Sequence, residues 1–540
     1  MWERQEEDPS PTCDLTTVEL ALAGTPHGCC RLFAELCTTL RNWKRADYLL
    51  HRWLSIAIGL VVLSWFVSGF AMMYYPWPAS TESARLGFDA PFDVPPSVIG
   101  VRRASSVAMQ AVPKSSMLTR ARLTAVGPRL VYAFSRERAA DEEQAALVDA
   151  ASGELISPLD SSAAVAIART VVSAPARVID VSLEPRGDHY LMSGEYRRDF
   201  PDWVVRFDDP RSTAVYVSKA SGHITGVVTR RTRVTTWLGV VPHWLYFQWL
   251  YERPDAWLWL NLILPGVAAI AACAGLILGV TQLFTRGGRD KRRRASPYRG
   301  VSRWHHLIGA TSGIVVLTWT FSGVLTVLGP DNVPRPGQLA LARGGAMPWT
   351  DFSLTEADAL AALRRIDRTA RPRAIDALAV AGQPGYVFHL TSGDEVWVNA
   401  VTGLVRSQLD SAAIVDVSRR VLPHARIARF ALLSSYDAYY YARPHREMHL
   451  PVWRVQFDDA AHSMLYLDAV SGAPTGFVDD EFRRWRWMRD GLHSIDFPGI
   501  NGRHPLWDVV VLVLLLGGTL SAATGVWLAS RRVRRTTKRA

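Results

Sequence analysis

The chain reads Leu50-His51-Arg52-Trp53 at the start of its first long apolar run and Trp304-His305-His306-Leu307 at the start of its third. The two stretches lie 254 residues apart, measured from position 51 to position 305, and similar apolar residues follow both. The sequence therefore indicates two similar halves, each with a histidine at the head of a long apolar run.

A second histidine recurs near the end of each half. His243 and His493 are 250 residues apart, and each is followed four residues later by a phenylalanine. Both lie in aromatic stretches 14 residues before a tryptophan, at position 257 or 507, that opens the next apolar run. All four histidines thus lie near the ends of apolar segments, where a buried cofactor would need its ligands.

Four apolar runs are each long enough for the roughly 20 residues that cross about 30 Å of hydrocarbon. We therefore predict a membrane protein with four transmembrane α-helices. The predicted ranges are 49–76, 237–285 (an interfacial segment followed by the second span), 305–329, and 487–530 (an interfacial segment followed by the fourth span).

Cations mark one side of the predicted membrane. They cluster in the tail 1–48, the loop 286–304 and the tail 531–540, which positive-inside reasoning places in the cytoplasm. The segments 77–236 and 330–486 are then extracytoplasmic, and the two halves are parallel repeats. The net charge of +11 is explained by this topology, so we expect no nucleic-acid partner.

The two exported segments carry a smaller repeated pattern. An alternating strand leads into a Ser-Gly or Thr-Gly turn four times, and glycine supplies the positive φ that a tight turn needs. Short helical patterns lie between these hairpins, so we predict two α+β domains built from four helix-plus-hairpin units. The turns are Ser152-Gly153, Ser221-Gly222, Thr402-Gly403 and Ser471-Gly472.

Three features together resemble the PepSY-associated transmembrane (PepSY_TM) family. They are the His-Arg-Trp opening of the first span, the strands that end in an Asp-Ala-x-Ser-Gly turn, and the segment 492–498. The resemblance covers about residues 48 to 530. That family includes ferrisiderophore reductases that carry b-type haem in the bacterial inner membrane. The resemblance therefore implies periplasmic PepSY-like domains, a bacterial inner (cytoplasmic) membrane location and haem b as cofactor.

Under this resemblance the recurring histidines are the candidate haem ligands. Haem iron takes imidazole axially, and two imidazoles give a centre suited to electron transfer. We predict two bis-histidine haems, one in a cytoplasmic layer and one in an exported layer. The sequence leaves open whether each haem is ligated by equivalent residues of the two halves or from within one half. The candidates are His51, His305, His243 and His493, with His306 and His504 in reserve.

Redox partners are predicted partly by exclusion. The chain has no glycine-rich dinucleotide fingerprint in a strand-turn-helix setting and no P-loop, so we expect electrons from a quinol or a separate reductase. The resemblance implies a ferric siderophore or similar ferric chelate as the acceptor, and membrane lipid is a further expected partner. The candidate substrate contacts are Tyr440, Arg443 and His445.

Two other functions compete with electron transfer. PepSY-like units also occur in peptidase propeptides, so the alternative is a membrane-displayed module that binds or restrains an extracytoplasmic peptidase. Under that interpretation the four histidines only anchor helix ends at the membrane interface. A transporter is a third possibility, which the absence of charged residues inside the spans disfavours.

Overall fold

The computed structural model describes most of the chain. The described residues are 28–75, 82–113, 117–138, 141–172, 175–191, 200–283, 285–286, 293–329, 337–344, 347, 349–442, 447–500, 503 and 505–537.

Four helices are long and apolar enough to cross a membrane, in agreement with the predicted spans. The spanning stretches are Asn42–Tyr74, Pro254–Thr281, Gly300–Leu328 and Leu506–Thr537. The chain is therefore a multi-pass membrane protein with sheet-rich segments between its spans. The helices are α1 Gly28–Tyr74, α2 Glu82–Phe88, α3 Val101–Ala111, α4 Ser161–Ala168, α5 Arg230–Leu238, α6 Val240–Trp244, α7 Gln248–Tyr251, α8 Pro254–Thr281, α9 Gly300–Leu328, α10 Gln338–Arg343, α11 Glu356–Arg364, α12 Ser411–Val421, α13 Asp480–Arg486, α14 Leu492–Ser494 and α15 Leu506–Thr537.

Short irregular turns and many strands complete the secondary structure. Three-residue 3₁₀ turns lie at Arg169–Val171 and Trp349–Asp351, and a π-helical turn at Trp487–Gly491 joins α13 to α14. The strands are β1 Leu118–Val126, β2 Arg129–Arg138, β3 Asp141–Asp149, β4 Arg177–Glu184, β5 Asp202–Asp208, β6 Ala214–Ser218, β7 Ile224–Val228, β8 Thr285–Arg286, β9 Arg293–Arg294, β10 Pro372–Val380, β11 Gln383–Leu390, β12 Glu395–Asn399, β13 Val405–Arg406, β14 Arg426–Leu433, β15 Val452–Asp458, β16 Met464–Asp468 and β17 Pro474–Val478.

The four spanning helices form a bundle in the cyclic order α1, α8, α9, α15. Neighbouring helices are antiparallel, and small residues let them approach: Gly69 of α1 lies against Leu515, and Gly518 of α15 lies against Phe66. We call the end where α9 begins and α15 finishes the basic end, because the arginines of 531–535 lie there. The opposite end, which leads into the strands, is the sheet end.

Two of the sheets have the same construction. Both are four-stranded and antiparallel, in the orders β4-β5-β6-β7 and β14-β15-β16-β17. The strands β15, β16 and β17 begin and finish 250 residues after β5, β6 and β7. The predicted tight turns close the last hairpin of each sheet, and Gly222 and Gly472 take φ values of 75° and 67°, which favour glycine.

The first parts of the two sheet-rich segments share a single sheet. Its seven strands follow the order β13-β12-β11-β10-β1-β2-β3, and the antiparallel pair β1–β10 joins the segments. Strands of the two predicted domains, 77–236 and 330–486, are thus hydrogen-bonded to each other in this sheet. Each segment presents an edge strand whose unpaired backbone groups are satisfied by the edge of the other.

A buried ion cluster lies at this seam between β1 and β10. Asp376 accepts two hydrogen bonds of 2.7 Å from the guanidinium of Arg122, and Arg120 lies 3.4 Å from the same carboxylate. His389 lies 3.0 Å from Asp376 through Nε2 and 3.0 Å from Glu395 through Nδ1. The cluster therefore links β10, β11 and β12 of the second sheet-rich segment to β1 of the first.

Asp376→Asn should destabilise the seam. The change leaves the cations of Arg122 and His389 buried without their countercharge, a situation that costs about 3–5 kcal/mol. We expect a lower midpoint of thermal unfolding, followed by circular dichroism of the purified protein. Asp458→Asn is the control, because Asp458 forms an exposed pair with Arg426 that contributes at most about 1 kcal/mol. Equal midpoints for the two variants would contradict this account of the seam.

The seam should also weaken in alkali. Burial alone would lower the pKa of His389, but hydrogen bonds to Asp376 and Glu395 outweigh it and raise the pKa to about 9. This stabilising contribution is therefore complete below the ordinary pKa of 6.5 and is lost as the pH rises through about 9. We expect the unfolding midpoint to fall over that interval and to fall less in His389→Gln. A variant with the same pH profile as the native chain would remove His389 from this role.

Candidate functional site

One pair of histidines lies at the basic end of the bundle. The rings of His51 on α1 and His305 on α9 lie side by side, with centroids 6.2 Å apart and planes 24° from parallel. His51 Nδ1 lies 2.8 Å from the carbonyl oxygen of Ala271, and His305 Nδ1 lies 3.1 Å from Oγ1 of Thr524. The acceptors belong to α8 and α15, so each imidazole bridges two helices.

The second pair lies at the sheet end. His243 of α6 and His493 of α14 have ring centroids 6.1 Å apart, with planes at 73°. His243 Nδ1 lies 3.0 Å from Oγ of Ser68 on α1, and His493 Nδ1 lies 3.0 Å from Oγ of Ser322 on α9. In both layers, therefore, the structure brings together the equivalent histidines of the two halves, the choice that the sequence left open.

The backbone positions both sheet-end histidines in the same way. Each short helix closes two residues after its histidine with a left-handed residue, Leu245 at φ 53° and Ile495 at φ 52°. The indole of Trp257 donates to the carbonyl oxygen of Trp244, and the indole of Trp507 donates to that of Ser494. These contacts hold the turn that carries each histidine against the start of the following span.

Hydrogen-bond chemistry fixes the protonated nitrogen of the basic-end pair. A carbonyl oxygen only accepts, so His51 donates to Ala271 from Nδ1. The Thr524 hydroxyl donates to the carbonyl oxygen of Leu520 at 2.7 Å, so it accepts from Nδ1 of His305. Both Nε2 atoms consequently carry a free lone pair, the form of imidazole that binds a metal.

The same reasoning applies at the sheet end. Ser68 Oγ donates to the carbonyl oxygen of Trp65 at 3.0 Å, and Ser322 Oγ donates to that of Trp319 at 3.1 Å. Each serine has one hydroxyl proton, so its oxygen accepts from the Nδ1–H of the histidine. The serines thereby set the tautomer and the orientation of the imidazoles, as partners of metal-binding histidines commonly do.

The separation within each pair suits two ligands on opposite sides of one metal ion. Metal–nitrogen distances of about 2.0–2.1 Å and an ordinary imidazole ring put two such centroids about 6.3–6.5 Å apart, close to the 6.2 and 6.1 Å found. No group of three or more His, Cys, Asp or Glu side chains converges among the described residues. Two imidazoles are the protein ligands that a bis-histidine haem takes, because its macrocycle supplies the other four.

Glycines make room for the basic-end rings. A Cβ added to Gly275 of α8 would lie 2.7 Å from Nδ1 of His51, and one added to Gly525 of α15 would lie 3.2 Å from Cε1 of His305. The first contact is too close for a side chain and the second is tighter than an ordinary Cβ contact, so each imidazole packs against the bare backbone that glycine leaves on the neighbouring helix. The two glycines are 250 residues apart, like the sheet-end histidines.

The sheet-end imidazoles are neutral at physiological pH. Burial, together with the neighbouring His493, lowers the pKa of His243 to about 3, and burial lowers the pKa of His493 as well. Neutral imidazole is the form that ligates a metal.

The remaining histidine candidates are placed differently. Nε2 of His306 lies 3.0 Å from the carbonyl oxygen of Gly279, and the ring packs edge-on against Tyr298 at 5.5 Å. Its Nε2 is thus engaged with α8, away from the pair formed by its neighbour His305. His504 lies outside the described residues.

The predicted substrate contacts do not form a described surface. Tyr440 is fully buried, donates its hydroxyl to the carbonyl oxygen of His449 at 2.9 Å and stacks on Tyr466 at 4.9 Å. In this structure it belongs to the core beneath its loop. Arg443 and His445 lie outside the described residues.

Sequence reasoning missed the partners of the histidines. Ser68 and Ser322 recur with the 254-residue shift, but serine beside glycine in a span is also typical of close helix packing. Gly275 and Gly525 carry the same ambiguity. The recurrence of these serines and glycines in the second half was the signal in the sequence. The structure shows that they contact the imidazoles across the bundle.

Residues 48–532 match the family described as "PepSY-associated TM region", and this stretch includes most of the bundle, both histidine pairs and all three large sheets. The chain belongs to that family. The PepSY-associated TM region thus includes every paired histidine and every partner described above. In a comparison with curated proteins, nothing matched the chain.

Gly275→Leu should displace His51 from its pair. A side chain at 275 collides with the imidazole, whereas a Cβ at Gly266 of the same helix meets nothing within 4 Å. If the pair holds haem, Gly275→Leu should lose about half of the bound haem, measured by absorbance per purified chain. The matched control, Gly266→Leu, should keep it all. Equal haem content in the two variants would contradict the predicted collision.

Proposed function

We propose that the protein is a membrane electron-transfer protein that holds two b-type haems and reduces an acceptor on the side of its sheets. The observation that carries the proposal is the presence of two histidine pairs with ring centroids 6.2 and 6.1 Å apart, each with its Nδ1 atoms engaged and its Nε2 lone pairs free. Helix anchoring needs neither the close pairing of the rings nor the free nitrogens.

The residues of the chain have distinct tasks under this proposal. Haem, when bound, supplies an iron that gains or loses one electron. The four paired histidines would hold it, while Ser68, Ser322, Thr524 and the Ala271 carbonyl orient the imidazoles. Apolar side chains of the bundle exclude water from the space between the layers.

The spacing of the two layers supports electron transfer across the bilayer. His51 and Ser68 are 17 residues apart on α1, and His305 and Ser322 are 17 residues apart on α9. At 1.5 Å per residue the layers are about 25 Å apart along the bundle, close to the roughly 30 Å thickness of the hydrocarbon. Each pair therefore suits one membrane boundary.

The proposed orientation places the basic end in the cytoplasm of a bacterium and the sheets outside its inner membrane. Arginines of the loop after α8 and of the last turns of α15 support this orientation. The matching strand orders of the two four-stranded sheets support a pair of parallel repeats with PepSY-like sheet domains.

The proposed acceptor is a ferric siderophore, and the proposed donor is a quinol or a separate reductase. One electron converts the bound Fe(III) to Fe(II), which the chelate holds weakly and releases. Family membership supports this choice of acceptor. The competing proposal, a module that restrains a peptidase, requires no bound cofactor, so the two functions predict different spectra.

The purified protein should show the reduced-minus-oxidised spectrum of low-spin haem. Replacing any one of His51, His305, His243 or His493 by alanine should remove about half of the haem, because each pair holds one. His462→Ala is the control, since that ring is exposed on the sheets and pairs with Asp480. His306→Ala should also keep its haem.

Retention of the second haem shows that a variant has folded. A colourless protein from haem-replete cells would overturn the proposal and favour the peptidase-binding module. Full haem in a single histidine variant would remove that residue from the ligand set.

A further inference from the structure

The two sheet-end histidines are paired, but the chain around them differs in charge. The stretch 236–250 around His243 contains no Asp, Glu, Lys or Arg. The corresponding stretch 486–500 around His493 contains four charged residues, and all four are buried: Arg486, Arg489, Asp490 and Asp496. Buried charges are costly unless they make specific contacts. The second half therefore carries a charged network beside one member of the pair.

Arg486, the last residue of α13, is the centre of this network. Its Nε donates to the carbonyl oxygen of Ala438 at 2.8 Å, and its Nη1 donates to that of Asp496 at 2.9 Å. Its Nη2 lies 3.3 Å from the carboxylate of Asp496. The guanidinium also lies over the ring of Trp487, 4.3 Å from the centroid. Arg486 thus joins the loop 437–441 to a residue three positions after His493.

The loop 437–441 is itself fixed to the second four-stranded sheet. The carboxylate of Asp437 accepts hydrogen bonds of 2.9 Å from the Tyr466 hydroxyl on β16 and from Arg454 on β15. At the other end of the loop, Tyr441 donates its hydroxyl to the carboxylate of Asp496. The contacts therefore continue from this sheet, through the loop, to the turn that carries the histidine.

The equivalent turn of the first half is held by its own span. Tyr246, 250 residues before Asp496, stacks on Trp257 of α8 with centroids 5.3 Å apart and planes 2° from parallel. Thr236, 250 residues before Arg486, donates its hydroxyl to a backbone carbonyl of its own helix α5. The two histidines are thus supported from different parts of the molecule.

A second contact between loop and turn occurs in both halves and does not explain this difference. The indole of Trp237 donates to the hydroxyl of Tyr190 at 3.3 Å. Tyr439 lies edge-on to Trp487 with ring centroids 6.3 Å apart. The arginine contacts are what distinguishes the second half.

We propose that Arg486 is a positioning residue that couples the second four-stranded sheet to His493, whereas His243 is positioned by its own span. The proposal rests on the proposed function, in which His493 ligates the sheet-end iron. A guanidinium suits this task, because its planar fork of donors reaches two backbone carbonyls and a carboxylate at once. A displacement of the loop 437–441 therefore acts on the imidazole of His493.

Carbon monoxide binding to the reduced full-length protein in detergent tests this coupling. An iron that holds two imidazoles has no position for the gas, so the native chain should bind little of it. Arg486→Gln removes the fork that holds Asp496 and should loosen His493. Carbon monoxide should then bind about half of the haem, the share of the sheet-end pair. A merely structural role of Arg486 would not open one iron and leave the other closed.

Hydrogen exchange followed by mass spectrometry gives a second readout that needs no haem. In Arg486→Gln the segments 437–441 and 492–497 should both exchange about tenfold faster, the scale of one lost charge-assisted hydrogen bond. Tyr441→Phe keeps the ring but removes a hydrogen bond to Asp496. It should change both readouts in the same direction by a smaller factor. If Arg486→Gln does not fold, these readouts on Tyr441→Phe decide.

Arg483→Gln is the matched control, because Arg483 lies on the same helix and pairs with Asp480 of its first turn at 2.8 Å. It should bind as little carbon monoxide as the native chain. Native carbon monoxide binding in Arg486→Gln, or faster exchange confined to one of the two segments, would overturn the proposal. A native chain without haem would instead refute the proposed redox function, while the exchange readout still tests the link between loop and turn.

Discussion

The four Nδ1 hydrogen bonds of the paired histidines are the contacts on which the arrangement of the bundle depends. His51 joins α1 to Ala271 of α8, and His305 joins α9 to Thr524 of α15. An imidazole N–H buried without an acceptor costs about 1–3 kcal/mol, so the neighbouring helices must place an oxygen there. Gly275 follows from the same constraint, because the His51 ring occupies the volume that a side chain would fill, and Gly525 lets the His305 ring approach α15 closely.

The sequence predicted the spans and the recurring histidines because both leave local signals, apolar length in one case and spacing in the other. The sequence could not predict which histidine rings lie next to each other. The sequence placed His51 and His305 at one membrane boundary and His243 and His493 at the other, but which rings lie in contact depends on helix packing, which only the structure gives. The role of Ser68 was hidden for the same reason, since the imidazole that it contacts lies 175 residues away.

The shared seven-stranded sheet marks another limit of sequence reasoning. Each hairpin carries its own turn and alternating pattern, so the units were predictable one by one. Pairing between β1 and β10 is made by backbone groups of two edge strands, which leave no signature in side-chain order. The cross-strand pair Arg122–Asp376 is specific to this seam, but arginine and aspartate are also ordinary surface residues.

Under the proposed repeat, equivalent residues meet at three levels of the molecule. Two of these are the histidine pairs, and the third is the seam, where Arg122 lies opposite Asp376, 254 residues later in the chain. If a two-fold axis relates the two halves, a residue that lies on the axis is opposite the equivalent residue of the other half. Identical imidazoles can ligate one metal ion from both sides, so symmetry serves the histidines. Identical residues at the seam would bury two like charges in contact, a strongly unfavourable arrangement. The halves therefore agree where symmetry supplies paired ligands and differ where it would impose repulsion.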